Sequence, residues 1–166
     1  MEKQILGIDT SVFINNPSFF KHNFLETPPV PNAFVTIGHL AYKFFRNRAW
    51  IVSRCSPTVA ERILAWFEYH DFYNSTGIIR DHLKFYARRE DKPAICSEIG
   101  ITHFIASKLE VLGCLIPVVN HRFLINARTS EIKRFSQFLP HVQRVTNWED
   151  IENYLLEQKQ TQSPNQ

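Results

Sequence analysis

Apolar and polar positions alternate along the chain in blocks that switch between short buried runs and longer stretches of helical period. Ile5-Leu6-Gly7-Ile8 is an apolar run that stops at a polar cluster, the pattern of a buried strand ending at Asp9. Asn15-Asn16-Pro17 marks a turn, and residues 18–31, with Pro28, Pro29 and Pro31, read as an extended loop. Phe34, Ile37, Leu40, Ala41 and Phe44 recur at helical spacing behind Asn32, which is placed to cap their helix. Ala49–Val52 reads as a second strand that ends at Ser53. Ser56-Pro57 is a start signal for a helix carrying Ile63, Leu64, Trp66 and Phe67.

The same alternation continues downstream. Leu83–Tyr86 is predicted as a third strand. Lys92-Pro93 opens a helix through Ile99 that Gly100 ends. Thr102–Ile105 is predicted as a fourth strand and Leu115–Val119 as a fifth. Asn147 caps a last helix with Ile151, Tyr154, Leu155 and Leu156. Strands alternating with helices imply parallel βαβ units, hence a three-layer, Rossmann-like α/β domain with a mainly parallel sheet. The expected extent is one domain over 1–157 and a polar, frayed tail over 158–166. Neither an internal repeat nor a linker is visible.

Composition narrows the function classes. Five glycines in 166 residues argue against a glycine-rich phosphate loop. A net charge of +3 does not announce nucleic acid, and a nucleic-acid partner is not expected. Two basic stretches exist, Arg80, His82, Lys84, Arg88 and Arg89, then Arg122, Arg128, Lys133 and Arg134. With Tyr86 and Phe123 nearby they fit a nucleic-acid module, although a solvated face is the commoner use of such charges. Cys55, Cys96 and Cys114 show neither pairing nor zinc spacing, which fits a reducing compartment. Without a signal peptide or an apolar stretch of membrane length, a cytoplasmic protein is expected.

In a doubly wound sheet, ligands sit at the carboxyl ends of the strands, near the switch point. Asp9, Ser53 and Ala106-Ser107 all fall at predicted strand ends, and Lys92 at a helix start, so they converge on one crevice. Asp9 also fits a turn cap or an ion-pair partner for Lys92, and Ser53 a plain strand-end hydroxyl. His103 on its buried strand reads as a hydrogen-bonded core histidine. The intervals from Asp9 to Ser53 and from Ser53 to Lys92 leave no room for a large cap domain, so an open crevice is expected.

Two runs resemble motifs of the haloacid dehalogenase-like phosphohydrolases: Ile5-Leu-Gly-Ile-Asp-Thr-Ser-Val-Phe13 and Ile99-Gly-Ile-Thr-His-Phe-Ile-Ala-Ser-Lys-Leu-Glu-Val-Leu112. The chain is similar, over roughly residues 4–120, to small capless members of cyanobacterial and actinobacterial type. The resemblance implies that Asp9 is the nucleophile, that Ser53 binds phosphate, and that Lys92 neutralises the phosphoryl group. It also marks departures. Ser11 stands where the family has its acid/base aspartate, and Ala106-Ser107 replace the acidic pair that holds magnesium. The resemblance therefore implies a pseudoenzyme that binds or regulates, without a metal or other cofactor, its ligand a protein partner or weakly held phosphate or sulfate. The alternative it implies is a divergent hydrolase with Asp9 as nucleophile. That hydrolase is either a phosphatase needing magnesium, with Glu110 as a substitute ligand, or a metal-independent enzyme like the haloacid dehalogenases proper.

Overall fold

The computed structural model describes residues 3–163; Met1, Glu2 and the last three residues of the expected tail lie outside them. The first four predicted strands and the helices between them form in the predicted order. β1 (Leu6–Ile8), β2 (Ala49–Arg54), β3 (Leu83–Tyr86) and β4 (His103–Ala106) are joined by α1 (Ala33–Phe45), by α2 (Pro57–Tyr69) with α3 (Phe72–Thr76), and by α4 (Asp91–Ile99). After them come α5 (Leu109–Gly113), β5 (His121–Ile125), α6 (Thr129–Arg134), β6 (Gln143–Val145) and α7 (Trp148–Gln162). The strands form one six-stranded sheet in the order β3-β2-β1-β4-β5-β6. Every neighbouring pair is parallel. The order reverses at β1, whose neighbours are β2 and β4, so the switch point lies at the carboxyl end of β1.

Strand alternation divides the core in two. Leu6, Ile8, Ile51, Ile105, Phe123 and Ile125 face one side, with Phe34, Ile37, Phe45, Trp66, Phe67, Phe72, Ile151 and Leu155 from α1, α2, α3 and α7. Val52, Phe104, Ala106 and Leu124 face the other, with Cys96, Leu109 and Leu112 from α4 and α5. Helices on both faces of a parallel sheet make the three layers. The first face is largely aromatic. Phe13 meets Phe34, Phe67 and Phe72 edge-on at 5.4–6.5 Å, contacts each adding about 0.5–1.5 kcal/mol beyond burial. Trp66 is fully buried and donates its indole N–H to the Thr27 carbonyl at 2.8 Å, pinning the segment after β1.

Gly7 sits in β1 under the Phe104 ring. A Cβ added there would lie 2.6 Å from Phe104 Cδ2 and 2.9 Å from Ile101 Cδ1. Both are core groups with little room to yield. Gly7→Ala is therefore expected to lower stability by about 1–3 kcal/mol, read from urea unfolding; an unchanged midpoint would show that the strand shifts freely.

Several expectations are corrected. Leu115–Val119 is a run of turns and not a strand, because Pro117 cannot donate to a ladder; Leu115 and Val119 are buried all the same. The fifth strand is His121–Ile125. β6 has the burial pattern exposed, exposed, buried, so no apolar run marks it. Residues 18–31 are not simply extended: 3-10 turns form over Pro17–Phe20 and Phe24–Glu26. Asn32 occupies the cap position of α1 but adopts a left-handed conformation, and its side chain makes no capping bond. α7 runs to Gln162, past the start of the expected frayed tail. Among the described residues no helix is long and apolar enough to cross a membrane.

Candidate functional site

The chain leaves β1 through a tight turn that Asp9 itself organises. Asp9 is the cap of a 3-10 turn over Thr10–Val12, and its Oδ2 accepts from the Ser11 amide at 3.1 Å. The Asp9 amide donates to the Ile105 carbonyl at 3.0 Å, locking the turn to the end of β4. Its other oxygen, Oδ1, faces two groups delivered by neighbouring elements. Ser53, on β2, donates to it at 3.3 Å. Lys92, from the first turn of α4, places its ammonium 3.7 Å away. Asp9, Ser53 and Lys92, separated by tens of residues, thus meet at the switch point as the sequence places them.

All three are buried, with Asp9 5%, Ser53 2% and Lys92 2% exposed. Against the expectation of an open crevice, the Asp9 carboxylate is thus largely buried. Lys92 also donates to the Val52 carbonyl at 3.2 Å. It lies over the Phe104 ring at 4.7 Å and the Tyr86 ring at 5.4 Å. Burial pulls the Lys92 pKa down, and the Asp9 carboxylate opposes that shift. Burial, and then the Asp9 charge, push up the Cys55 thiol and the Tyr86 phenol. The site is thus a desolvated carboxylate–ammonium pair with a hydroxyl between its arms.

The other positions have found different partners. Ser11 Oγ accepts from the Ser107 amide at 3.1 Å, tying the turn after β1 to the segment after β4. Ala106 is fully buried in the core facing α4 and α5. Glu110 pairs with Arg89 rather than pointing at Asp9. The backbone amides of Leu109 and Glu110, at the start of α5, are taken by the Glu131 carboxylate at 2.9 and 3.0 Å.

Magnesium demands near-octahedral oxygen donors, including one or two carboxylates. Here one carboxylate is offered, both of its oxygens are engaged, and an ammonium stands beside it. Among the described residues no three His, Cys, Asp or Glu side chains converge. The donor set does not fit the metal.

Some members of the site were not foreseen. Thr10 Oγ1 shares a 2.6 Å hydrogen bond with Ser53 Oγ, orienting the hydroxyl that faces Asp9; its place beside Asp9 in sequence was the available signal. The Phe104 and Tyr86 rings around Lys92 carried none, since both read as core. His103 is the hydrogen-bonded core histidine expected, 2.7 Å from Thr102 Oγ1. Much of the basic stretches is tied up locally: Arg80 pairs with Glu68, Arg88 with Glu90, and Arg122 donates to backbone carbonyls. One cavity, of about 390 Å³, lies between the ends of β5 and β6, lined by Leu124, Asn126, Ala127, Arg144, Val145 and Thr146.

No protein-family model and no curated protein matches the chain. Solved structures do. A D,D-heptose 1,7-bisphosphate phosphatase from B. bronchiseptica, complexed with magnesium and phosphate, superposes with a TM-score of 0.65 at 13% identity. The alignment covers 93% of this chain and 99% of that one. The D,D-heptose 1,7-bisphosphate phosphatase from Burkholderia thailandensis superposes with a TM-score of 0.55 at 12% identity, covering 95% and 99%. A haloacid dehalogenase-like hydrolase from Burkholderia xenovorans LB400 superposes with a TM-score of 0.54 at 15% identity, covering 80% of this chain and 61% of the other. With the switch-point placement of Asp9, Ser53 and Lys92, these likenesses show that the chain has the haloacid dehalogenase-like fold.

Proposed function

We propose that this chain is a divergent haloacid dehalogenase-like hydrolase whose site works without magnesium. Asp9 is the nucleophile, and Ser53 and Lys92 hold the anionic group of the substrate. One observation carries the reading: Ser53 and Lys92 both address Asp9 Oδ1, at 3.3 and 3.7 Å, while Ser11 and Ser107 bond each other. The fold likeness to phosphatases supports the hydrolase class over a pure binding protein.

In this reading an Asp9 oxygen bonds to an electrophilic carbon or phosphorus, and the leaving group departs with its electron pair. Water then cleaves the resulting ester or acyl phosphate and returns the free carboxylate. Lys92 offsets the like-charge repulsion that a carboxylate meets on approaching an anion. Its ammonium acts in a buried site, where such a charge has more effect than in water.

The test is hydrolysis of 2-chloropropionate and of p-nitrophenyl phosphate, each in EDTA and in magnesium. Turnover in EDTA that Asp9→Asn abolishes is expected with one of them. Turnover that requires magnesium, or that survives Asp9→Asn, would overturn the proposal. A second reading, a pseudoenzyme that binds but does not turn over, is favoured by the burial of Asp9 and the engagement of both its oxygens. It calls for no turnover in either buffer. It also calls for phosphate binding in the millimolar range, about 4 kcal/mol, tightened by Asp9→Asn and lost in Lys92→Ala.

A further inference from the structure

The Ser53 hydroxyl carries one proton, and two oxygens stand within reach of it. Asp9 Oδ1 accepts from it at 3.3 Å. Thr10 Oγ1 is much closer, at 2.6 Å. An ionised carboxylate accepts and never donates, whereas a hydroxyl offers one proton and two lone pairs. If Ser53 donated to Thr10, its lone pairs would face the Asp9 anion with no proton between them. Ser53 is 2% exposed, so no water would soften that contact. Donation therefore runs from Thr10 to Ser53 and from Ser53 to Asp9.

Local structure sets Thr10 in this place. It opens the 3-10 turn after β1 and is half-buried. Ile8 lies opposite Ile51 in the β1–β2 register, and two residues further along each chain Thr10 and Ser53 meet. The branched Cβ of threonine restricts χ1, which holds the donor in place before any ligand arrives.

The two side chains that face Oδ1 each have a second anchor. Lys92 donates to the Val52 carbonyl at 3.2 Å, and Ser53 is held by Thr10. Oδ2 differs, because its donor is the Ser11 backbone amide at 3.1 Å, which cannot turn to a ligand. An anion that draws the Ser53 proton and the Lys92 ammonium to itself leaves Oδ1 free. The second anchors keep both donors where the anion needs them.

We infer that Thr10 is a positioning residue: its hydroxyl donates to Ser53 Oγ, so that the Ser53 proton is always turned outward, to Asp9 Oδ1 in the free protein and to the anionic group of a bound substrate. The inference rests on the reading that Asp9 is the nucleophile and that Ser53 holds the substrate anion.

Steady-state kinetics in EDTA test it on the full chain, with whichever of 2-chloropropionate and p-nitrophenyl phosphate is turned over. Thr10→Val keeps the shape and removes the donor. It is expected to raise KM at least about threefold, the effect of one lost hydrogen bond, with kcat changed less than about twofold. Thr10→Ser keeps the donor and should hold KM within about twofold of the natural value. In a Ser53→Ala background, adding Thr10→Val should leave KM unchanged, because Thr10 acts through Ser53. Thr10→Ala carries the same test should the valine variant not fold. An unchanged KM in Thr10→Val overturns the inference alone. So does an equal rise in Thr10→Ser, a full rise in the Ser53→Ala background, or a fall in kcat with KM unmoved, the mark of a smaller folded fraction. Turnover of neither substrate by the natural protein overturns both this inference and the reading on which it rests.

Discussion

Lys92→Met is expected to destabilise the protein by about 3–5 kcal/mol, the cost of leaving a buried charge without its partner. Lys92 is 2% exposed, and its ammonium lies 3.7 Å from Asp9 Oδ1. Once it is gone, the Asp9 carboxylate keeps only the Ser53 hydroxyl and the Ser11 amide in a dry site. The reverse substitution is milder. Burial already holds the Lys92 pKa below its usual value, so in Asp9→Asn the lysine sheds its proton at smaller cost. The double variant, with neither charge, should recover much of the loss. A double-mutant cycle by urea unfolding should therefore give a coupling of at least about 1 kcal/mol. Additive single effects would show that the two charges do not depend on each other.

The second large effect is an acid limb in stability. His103 is 2% exposed, stacks against His121 at 4.3 Å, and meets the Phe45 ring edge-on at 5.0 Å. Burial, and then the neighbouring His121, push its pKa from 6.5 to about 3. Unfolded, His103 takes up a proton near its ordinary value; folded, it resists until about pH 3. Between those values the unfolded state binds more protons. Stability contributed by the neutral ring is thus complete above about pH 6.5 and is lost as pH falls, at up to about 1.4 kcal/mol per pH unit. By pH 5 the loss from this one group is about 2 kcal/mol. His103→Phe keeps an aromatic ring and removes the titration. Urea unfolding at pH 7 and pH 5 should show the variant losing about 2 kcal/mol less than the natural protein over that interval. Identical losses would place the acid limb in other groups.

Both effects arise where a polar side chain is buried with no water to receive it. Such positions also mark the limit of what a pattern of residues can convey. The βαβ alternation was legible, because β1, β2 and β4 are largely apolar runs bounded by caps, turns or helix starts, and a parallel sheet buries both faces of its inner strands. Asp9, Ser53 and Lys92 were legible as a group for the same reason: each stands at the end of a run or the start of a helix, and the topology collects such ends at one edge. The resemblance to haloacid dehalogenase-like motifs pointed to the same fold.

The β6 edge of the sheet was not legible. β6 buries one residue in three, so its pairing to β5 depends on backbone bonds that carry no side-chain signature. The apolar run Leu115–Val119 looked like a strand, yet Pro117 breaks its donor row, and the chain buries Leu115 and Val119 through turns. The closure of the site was likewise decided by tertiary structure. Sequence spacing excluded a large cap. It could not reveal that Lys92 would fold inward beside the Phe104 and Tyr86 rings, because those rings, on β4 and β3, come near it only once α4 packs against β2. Local pattern determined which elements form and which polar residues end them. Packing across the sheet decided how deeply those residues are buried, and burial is what sets the energies of Asp9, Lys92 and His103.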